Sequence, residues 1–123
     1  MQISISGSRT ITDYSIVKKW FDLIFECLPE VQKTKHGGAE GLDKLADKYL
    51  REEKGIISEV LRPQYKYYPE HLKRFAPKDR NWSILDGTDC LISMTSGEGN
   101  VWKGGTIDAI QKALYLTIPV FLC

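Results

Sequence analysis

Cysteine is scarce in this sequence, and so is any excess of one charge. The three cysteines, Cys27, Cys90 and Cys123, are odd in number and lie far apart among apolar neighbours. That pattern excludes a disulfide framework and fits reduced core thiols. The two histidines, His36 and His71, have no metal-ligand spacing, and no cysteine pair supports zinc. No metal and no cofactor are therefore expected. No apolar run approaches the roughly 20 residues of a membrane span, so no membrane partner is expected. The chain opens MQISISGSRT, without a basic leader ahead of an apolar stretch, and so reads as cytoplasmic. Asn81-Trp82-Ser83 fits a glycosylation sequon, which without an export signal reads as chance. A net charge of +1, with 27% charged residues, argues against both disorder and a generic polyanion binder.

What is present is a core. Hydrophobic residues make up 42% of the 123 residues, enough for one domain over residues 1–123 without disulfide or metal support. There is no linker and no internal repeat.

The chain alternates between strand-like and helix-like segments. Gln2 to Ser6 is a β-prone run ending at Gly7. Thr12 can cap a helix whose apolar face is Val17, Trp20, Phe21, Ile24 and Leu28, closed by Pro29. Val31 to His36 reads as a short strand. Leu42, Leu45, Ala46, Tyr49 and Leu50 repeat as a second helical face that ends at Gly55. Ile56 to Leu61 is a third strand stopped by Pro63, and Gln64 to Ala76 lacks a period and reads as a loop. Pro77 opens a third helix carrying Trp82 and Leu85 inward and ending at Gly87. Asp89 to Met94 is a strand buried on both faces. Thr95 to Lys103 is a loop, and Gly104-Gly105-Thr106 leads into a helix with Ile110, Ala113 and Leu114 facing the core. Ile118 to Leu122 is the last strand. The fold class is thus α/β: a single Rossmann-like doubly wound domain of about five parallel strands, with helices on both faces.

In such a sheet the strand-to-helix loops share one edge, where ligands bind. Three polar or glycine-rich loops fall there: Gly7-Ser8-Arg9, Gly37-Gly38-Ala39-Glu40-Gly41, and Thr95 to Thr106. Glycines let a backbone approach a ligand closely, and a helix N-terminus presents free N–H groups to an anion. From Arg62 to Arg80, six basic residues stand against two acidic ones, interleaved with Tyr65, Tyr67, Tyr68, His71 and Phe75. Such a segment can grip phosphate and stack on a base. It can equally be a solvated loop whose tyrosines lie over the core edge.

These pieces together resemble the SLOG superfamily, and most of all its YspA-like branch of small stand-alone proteins. The matching segments are Gly7-Ser8-Arg9-Thr10, the run His36-Gly37-Gly38-Ala39-Glu40-Gly41-Leu42-Asp43-Lys44-Leu45-Ala46, the pair Arg80-Asn81, and Gly104-Gly105-Thr106. They stand in the family's order over nearly the whole chain. The resemblance implies a Rossmann-like domain that binds nucleotides or nucleotide-derived signals. By the family pattern Gly104, Gly105 and Thr106 would hold phosphate at a helix N-terminus; Gly7, Gly37 and Gly38, as strand-to-helix loop residues, are expected to line the same pocket. Arg9 and Arg80 would add charge-assisted contacts, and Ser8 a hydroxyl near phosphate or ribose. Asp43 and Asn81 would either touch the ligand or brace the loops.

The chain also departs from that pattern. LOG-type phosphoribohydrolases of this superfamily carry a glutamate three positions after the threonine of the glycine motif, where this chain has Ala109. Asp108 is next door, but one residue is about 100° around a helix and points it elsewhere. As a first-turn acid it also suits the helix dipole. Ser8 lacks the setting of a nucleophile elbow, Gly7-Ser8-Arg9 is not a Walker-type loop, and His36 reads as a packed or turn-capping residue rather than a base. The leading expectation is a protein that binds a nucleotide-type small molecule, as a sensor or a sequestering protein, without turning it over. The alternatives are an N-glycosidic-bond-cleaving enzyme, of phosphoribohydrolase or deoxyribosyltransferase type, with Asp108 as its carboxylate, and a DNA-associated protein analogous to DprA. The near-neutral charge counts against a nucleic-acid partner. Trp82, Trp102 and the tyrosines exceed the needs of one small core, so a homo-oligomer, a dimer first of all, is expected.

Overall fold

In a computed structural model that describes residues 1–95 and 104–123, apolar residues two apart in two neighbouring strands dictate the centre of the fold. Ile3 and Ile5 of β1 (Gln2–Gly7) and Cys90, Ile92 and Met94 of β4 (Cys90–Met94) point to one face. Every residue of β4 is buried, as expected of a central parallel strand. The remaining strands are β2 (Lys33–His36), β3 (Glu59–Val60) and β5 (Val120–Leu122). All pairings are parallel, in the order β3-β2-β1-β4-β5. The expected Rossmann-like sheet is present.

Helices α1 (Tyr14–Cys27) and α2 (Leu42–Lys54) cover the face of Ile3 and Ile5. Their core is Val17, Phe21, Ile24, Leu42, Ala46, Tyr49 and Leu50, where each fully buried large side chain contributes roughly 1.5–3 kcal/mol. Phe21 meets Tyr49 edge-on at 5.3 Å, and the Tyr49 hydroxyl donates to Asp22 Oδ1 at 2.7 Å. Helices α3 (Ala76–Leu85) and α4 (Gly105–Tyr115) cover the other face, with Leu85, Leu91, Ala109, Ile110 and Ala113 clustered between them and the sheet. No helix of the described residues is long and apolar enough to cross a membrane.

Several boundaries and faces differ from the sequence reading. The α1 cap is Asp13, whose carboxylate accepts from Ser15 N at 3.0 Å, and not Thr12. Strands β2 and β3 are shorter than expected, and the segment before α3 holds two 3-10 turns, Tyr65–Tyr67 and Glu70–Phe75. Trp20, Trp82 and Leu114, expected to face inward, are 44%, 43% and 63% exposed. Cys27 is exposed rather than a core thiol; Cys90 is buried and Cys123 partly so. Of the aromatic residues expected at an interface, Trp102 lies outside the described residues.

Candidate functional site

The strand order reverses direction between β1 and β4, so the crevice beyond their C-terminal ends is the natural site. The loop after β1 continues the sheet by one bond, Ser8 N donating to Met94 O at 3.0 Å. It then packs backbone to backbone on the loop after β2, where Leu42 N donates to Ser8 O at 3.2 Å. Gly41 makes that contact possible. Its φ is +83°, and a Cβ there would fall 2.2 Å from Ser8 O. Gly7 is confined too, since its Cβ would fall 2.2 Å from Leu42 Cδ2. The Ser8 hydroxyl turns back on its own loop, 2.8 Å from Thr10 Oγ1.

The Gly37–Gly41 loop is held from within. Asp43 lies at the start of α2, 5% exposed, and its Oδ2 accepts from Gly37 N at 3.1 Å and Ala39 N at 3.2 Å. Its Oδ1 is buried without a hydrogen-bond partner among the described residues. Burial pushes the Asp43 pKa up, against the pull of those N–H groups and of His36 and Arg80. His36 is buried and braces the same turn. Its Nδ1 accepts from Gly38 N at 2.9 Å, which assigns the proton to Nε2, 2.9 Å from Asp47 Oδ1. The turn-capping reading of His36 matches this arrangement.

Arg80 enters from α3 and lies over Gly37. Its Nη1 donates to Leu61 O at 2.8 Å and Gly37 O at 3.4 Å, and its Nε to Asn81 Oδ1 at 3.3 Å. Asn81, 2% exposed, passes the chain of bonds on. Its Nδ2 donates to Gly105 O at 3.2 Å and to Asp108 Oδ2 at 2.9 Å. Asp108 is also paired with Lys112 at 2.6 Å. One network therefore runs from the β2 loop through α3 to the first turn of α4. Burial lowers the Arg80 pKa, Asp43 and Tyr65 oppose this, and Arg9 adds to it. Arg9 is exposed and has no hydrogen-bond partner among the described residues. Gly104 and Gly105 are exposed at the head of α4, with nothing described within 4 Å of where their Cβ atoms would be. Thr106 is half-buried beside them.

The structure thus brings Gly7, Ser8, Arg9, Gly37, Gly38, Asp43, Arg80, Asn81 and Gly105 to one edge and links most of them by hydrogen bonds. Asp43 and Asn81 brace loops. Position 109 corrects an assumption made from the sequence. Ala109 is 1% exposed and packs with Leu85, Leu91 and Ala113 under the sheet. A carboxylate at 109 would enter that core, so its absence says nothing about chemistry at the edge. Sequence reasoning missed Lys112 as the partner of Asp108, although the i,i+4 spacing announces it. It also missed Arg62, whose Nη1 lies 3.4 Å from Gly38 O. Away from this edge, a groove of about 450 Å³ lies along α3 and the β2–β3 side, lined by Lys35, Glu59, Leu61 and Trp82. Lys35 Nζ is engaged there by the Ser83 and Asp86 carbonyls.

The fold is a Rossmann-like α/β domain whose glycine-bearing strand-to-helix loops share one edge with Arg9 and Arg80. No family model matches the chain, and no curated protein or solved structure matches it either.

Proposed function

We propose that this protein binds a nucleotide-derived small molecule at the crevice beyond β1 and β4, in the cytoplasm, and releases it unchanged. One observation carries the reading: the loop that bears Arg9 packs on the Gly37–Gly41 loop under Arg80, and the bonds from Arg80 run through Asn81 to the exposed head of α4. Two arginines on one edge offer charge-assisted bonds to an anion, and the N–H groups of a helix start suit phosphate. The resemblance to SLOG proteins supports a nucleotide as the phosphate's bearer. The reading of binding without turnover rests on Asp108, the one carboxylate in the first turn of α4. Its Oδ2 accepts from the Asn81 amide and pairs with the Lys112 ammonium, and these two bonds hold it away from attack on a sugar.

A second reading is favoured by the burial of Ala109. Since that position faces the core, Asp108 is the residue of this turn from which an N-glycosidic-bond-cleaving enzyme would draw its carboxylate. The two readings separate in one experiment. The protein is incubated with adenosine and guanosine monophosphates, deoxynucleosides, cyclic dinucleotides and ADP-ribose, then denatured and chromatographed. Ligand retained on the native protein and recovered intact supports the binder. Free base whose release is lost in Asp108→Asn supports the enzyme, and a protein that neither retains nor releases base from any of these compounds removes both.

A further inference from the structure

Helix α1 was expected to bury Trp20, yet it carries an uncovered apolar stripe. Ile16, Trp20 and Leu23 are 49%, 44% and 50% exposed, and Cys27 continues the line at the helix end. Positions 16, 20, 23 and 27 follow the i, i+4, i+7, i+11 spacing of a helix seam. The charges beside the stripe are arranged against the helix's own dipole. Dipoles favour acids early and bases late, whereas α1 has no acid in its first turn and no base in its last. Lys18 and Lys19 instead come before Asp22 and Glu26. Lys18 is satisfied by Asp22 at 3.0 Å, but Lys19 and Glu26 have no ion-pair partner among the described residues.

We infer that α1 is the seam of a homodimer in which two copies of this helix pack antiparallel across a two-fold axis. That arrangement sets Trp20 against the partner's Leu23 and Ile16 against the partner's Cys27. It also carries Lys19 within side-chain reach of the partner's Glu26, and symmetry makes each contact twice. At 100° per residue Lys19 and Glu26 lie on one flank of the stripe. A parallel copy would put that flank on the opposite side of the seam and form no Lys19–Glu26 pair, and a partner of one charge sign would repel one half of the flank. The helix is complementary to its own reverse, which is why a second copy is the occupant. A helix pair of this length buries less than the roughly 800 Å² per partner of a standard interface, which places the dimer among weak, transient associations.

The test is light scattering and sedimentation of the whole chain across micromolar concentrations, under reductant to keep Cys27 free. The wild type is expected to move from monomer to dimer mass as concentration rises. Leu23→Glu, at a half-exposed position, should keep its circular dichroism and stay a monomer. Lys19→Glu should weaken dimerisation about tenfold at low salt, because two symmetric pairs turn from attraction to repulsion. Adding Glu26→Lys to the same chain should restore it. Three results would overturn the inference: a monomer at all concentrations, a dimer indifferent to Leu23→Glu, or a double exchange no tighter than the single one. The second of these would move the interface to another surface, such as the exposed Trp82–Tyr115 pair.

Discussion

Asp43→Ala should unseat the Gly37–Gly41 loop, and the structure sets how much that costs. The carboxylate accepts two backbone N–H bonds, from Gly37 at 3.1 Å and Ala39 at 3.2 Å. Bonds to a charged acceptor are each worth about 1.5–3 kcal/mol, and Gly37 N–H is buried with nothing to replace its partner. Against this stands the cost of holding a carboxylate at 5% exposure with one oxygen unpartnered. The difference is a net loss of about 2–4 kcal/mol, a shift of roughly 1–3 M in the urea midpoint. Asp43→Asn keeps one acceptor for the two N–H groups and removes the buried charge, so it should cost no more than about 1 kcal/mol. The two proteins should also differ with pH. Burial raises the Asp43 pKa above its ordinary 3.8, so the folded state holds that proton more firmly than the unfolded one. The contribution is fully present below pH 3.8 and is lost as pH rises through the folded value. The stability of the asparagine variant relative to wild type should therefore improve from pH 4 towards neutrality. Urea titrations at several pH values read all of this. A midpoint for Asp43→Ala within error of wild type would refute the bracing role.

The other predictions concern the same edge. Arg9→Ala should weaken the binding of a phosphorylated ligand by about 1.5–3 kcal/mol in calorimetry and leave the melting temperature unchanged. Arg80→Ala should weaken binding too, but also lower the melting temperature, because Leu61 O and Gly37 O lose their donor. Gly41→Ala should fail to give a native circular dichroism spectrum, since its Cβ would meet Ser8 O at 2.2 Å. Gly55→Ala, at φ +66° with nothing within 4 Å, should cost only about 1 kcal/mol. Burial raises the Asp47 pKa, but the bonds from His36 and Arg51 outweigh it and hold the net value below 3.8. Its contribution is present above pH 3.8 and lost as pH falls through the lowered value. Asp47→Asn should therefore flatten the acid limb of the stability curve, and an unchanged limb would count against the His36–Asp47–Arg51 cluster.

The architecture was legible because the hydrophobic period switches cleanly between strand and helix, as from Ile3 and Ile5 to Val17, Phe21 and Ile24. Strand β3 was overextended because Ile56 and Ile57 look strand-like, while Ile57 is 85% exposed in the fold. A sequence shows which residues are apolar, not how wide an arc the neighbouring element covers. Trp20, Trp82 and Leu114 were placed inward for that reason, and the packing of one helix per sheet strip leaves them outside. At Trp20 the apolar arc of α1 exceeds its buried arc, and such a helix has surface left for a partner.

The site was legible to the extent that backbone demands a residue type. Gly41 must be glycine, and a buried acid two residues later is the natural brace for its loop. What the sequence could not convey was direction. Arg80 spends its Nη1 on Leu61 and Gly37 carbonyls, contacts 19 and 43 residues away that no local pattern announces. The same limit governs positions 108 and 109. Counting three residues on from Thr106 reaches Ala109, but which side of α4 meets the crevice depends on how the helix docks. Ala109 fits under the sheet because it is small, and that choice turns Asp108 towards Asn81. The question of turnover therefore passes from a missing carboxylate to a present one that is already engaged. On the proposed reading, binding and catalysis would differ by whether a ligand draws Asp108 away from Lys112, a pair only 13% and 19% exposed. A pair that sheltered is broken at a cost of several kcal/mol, which a bound nucleotide would have to match before its sugar met a free carboxylate.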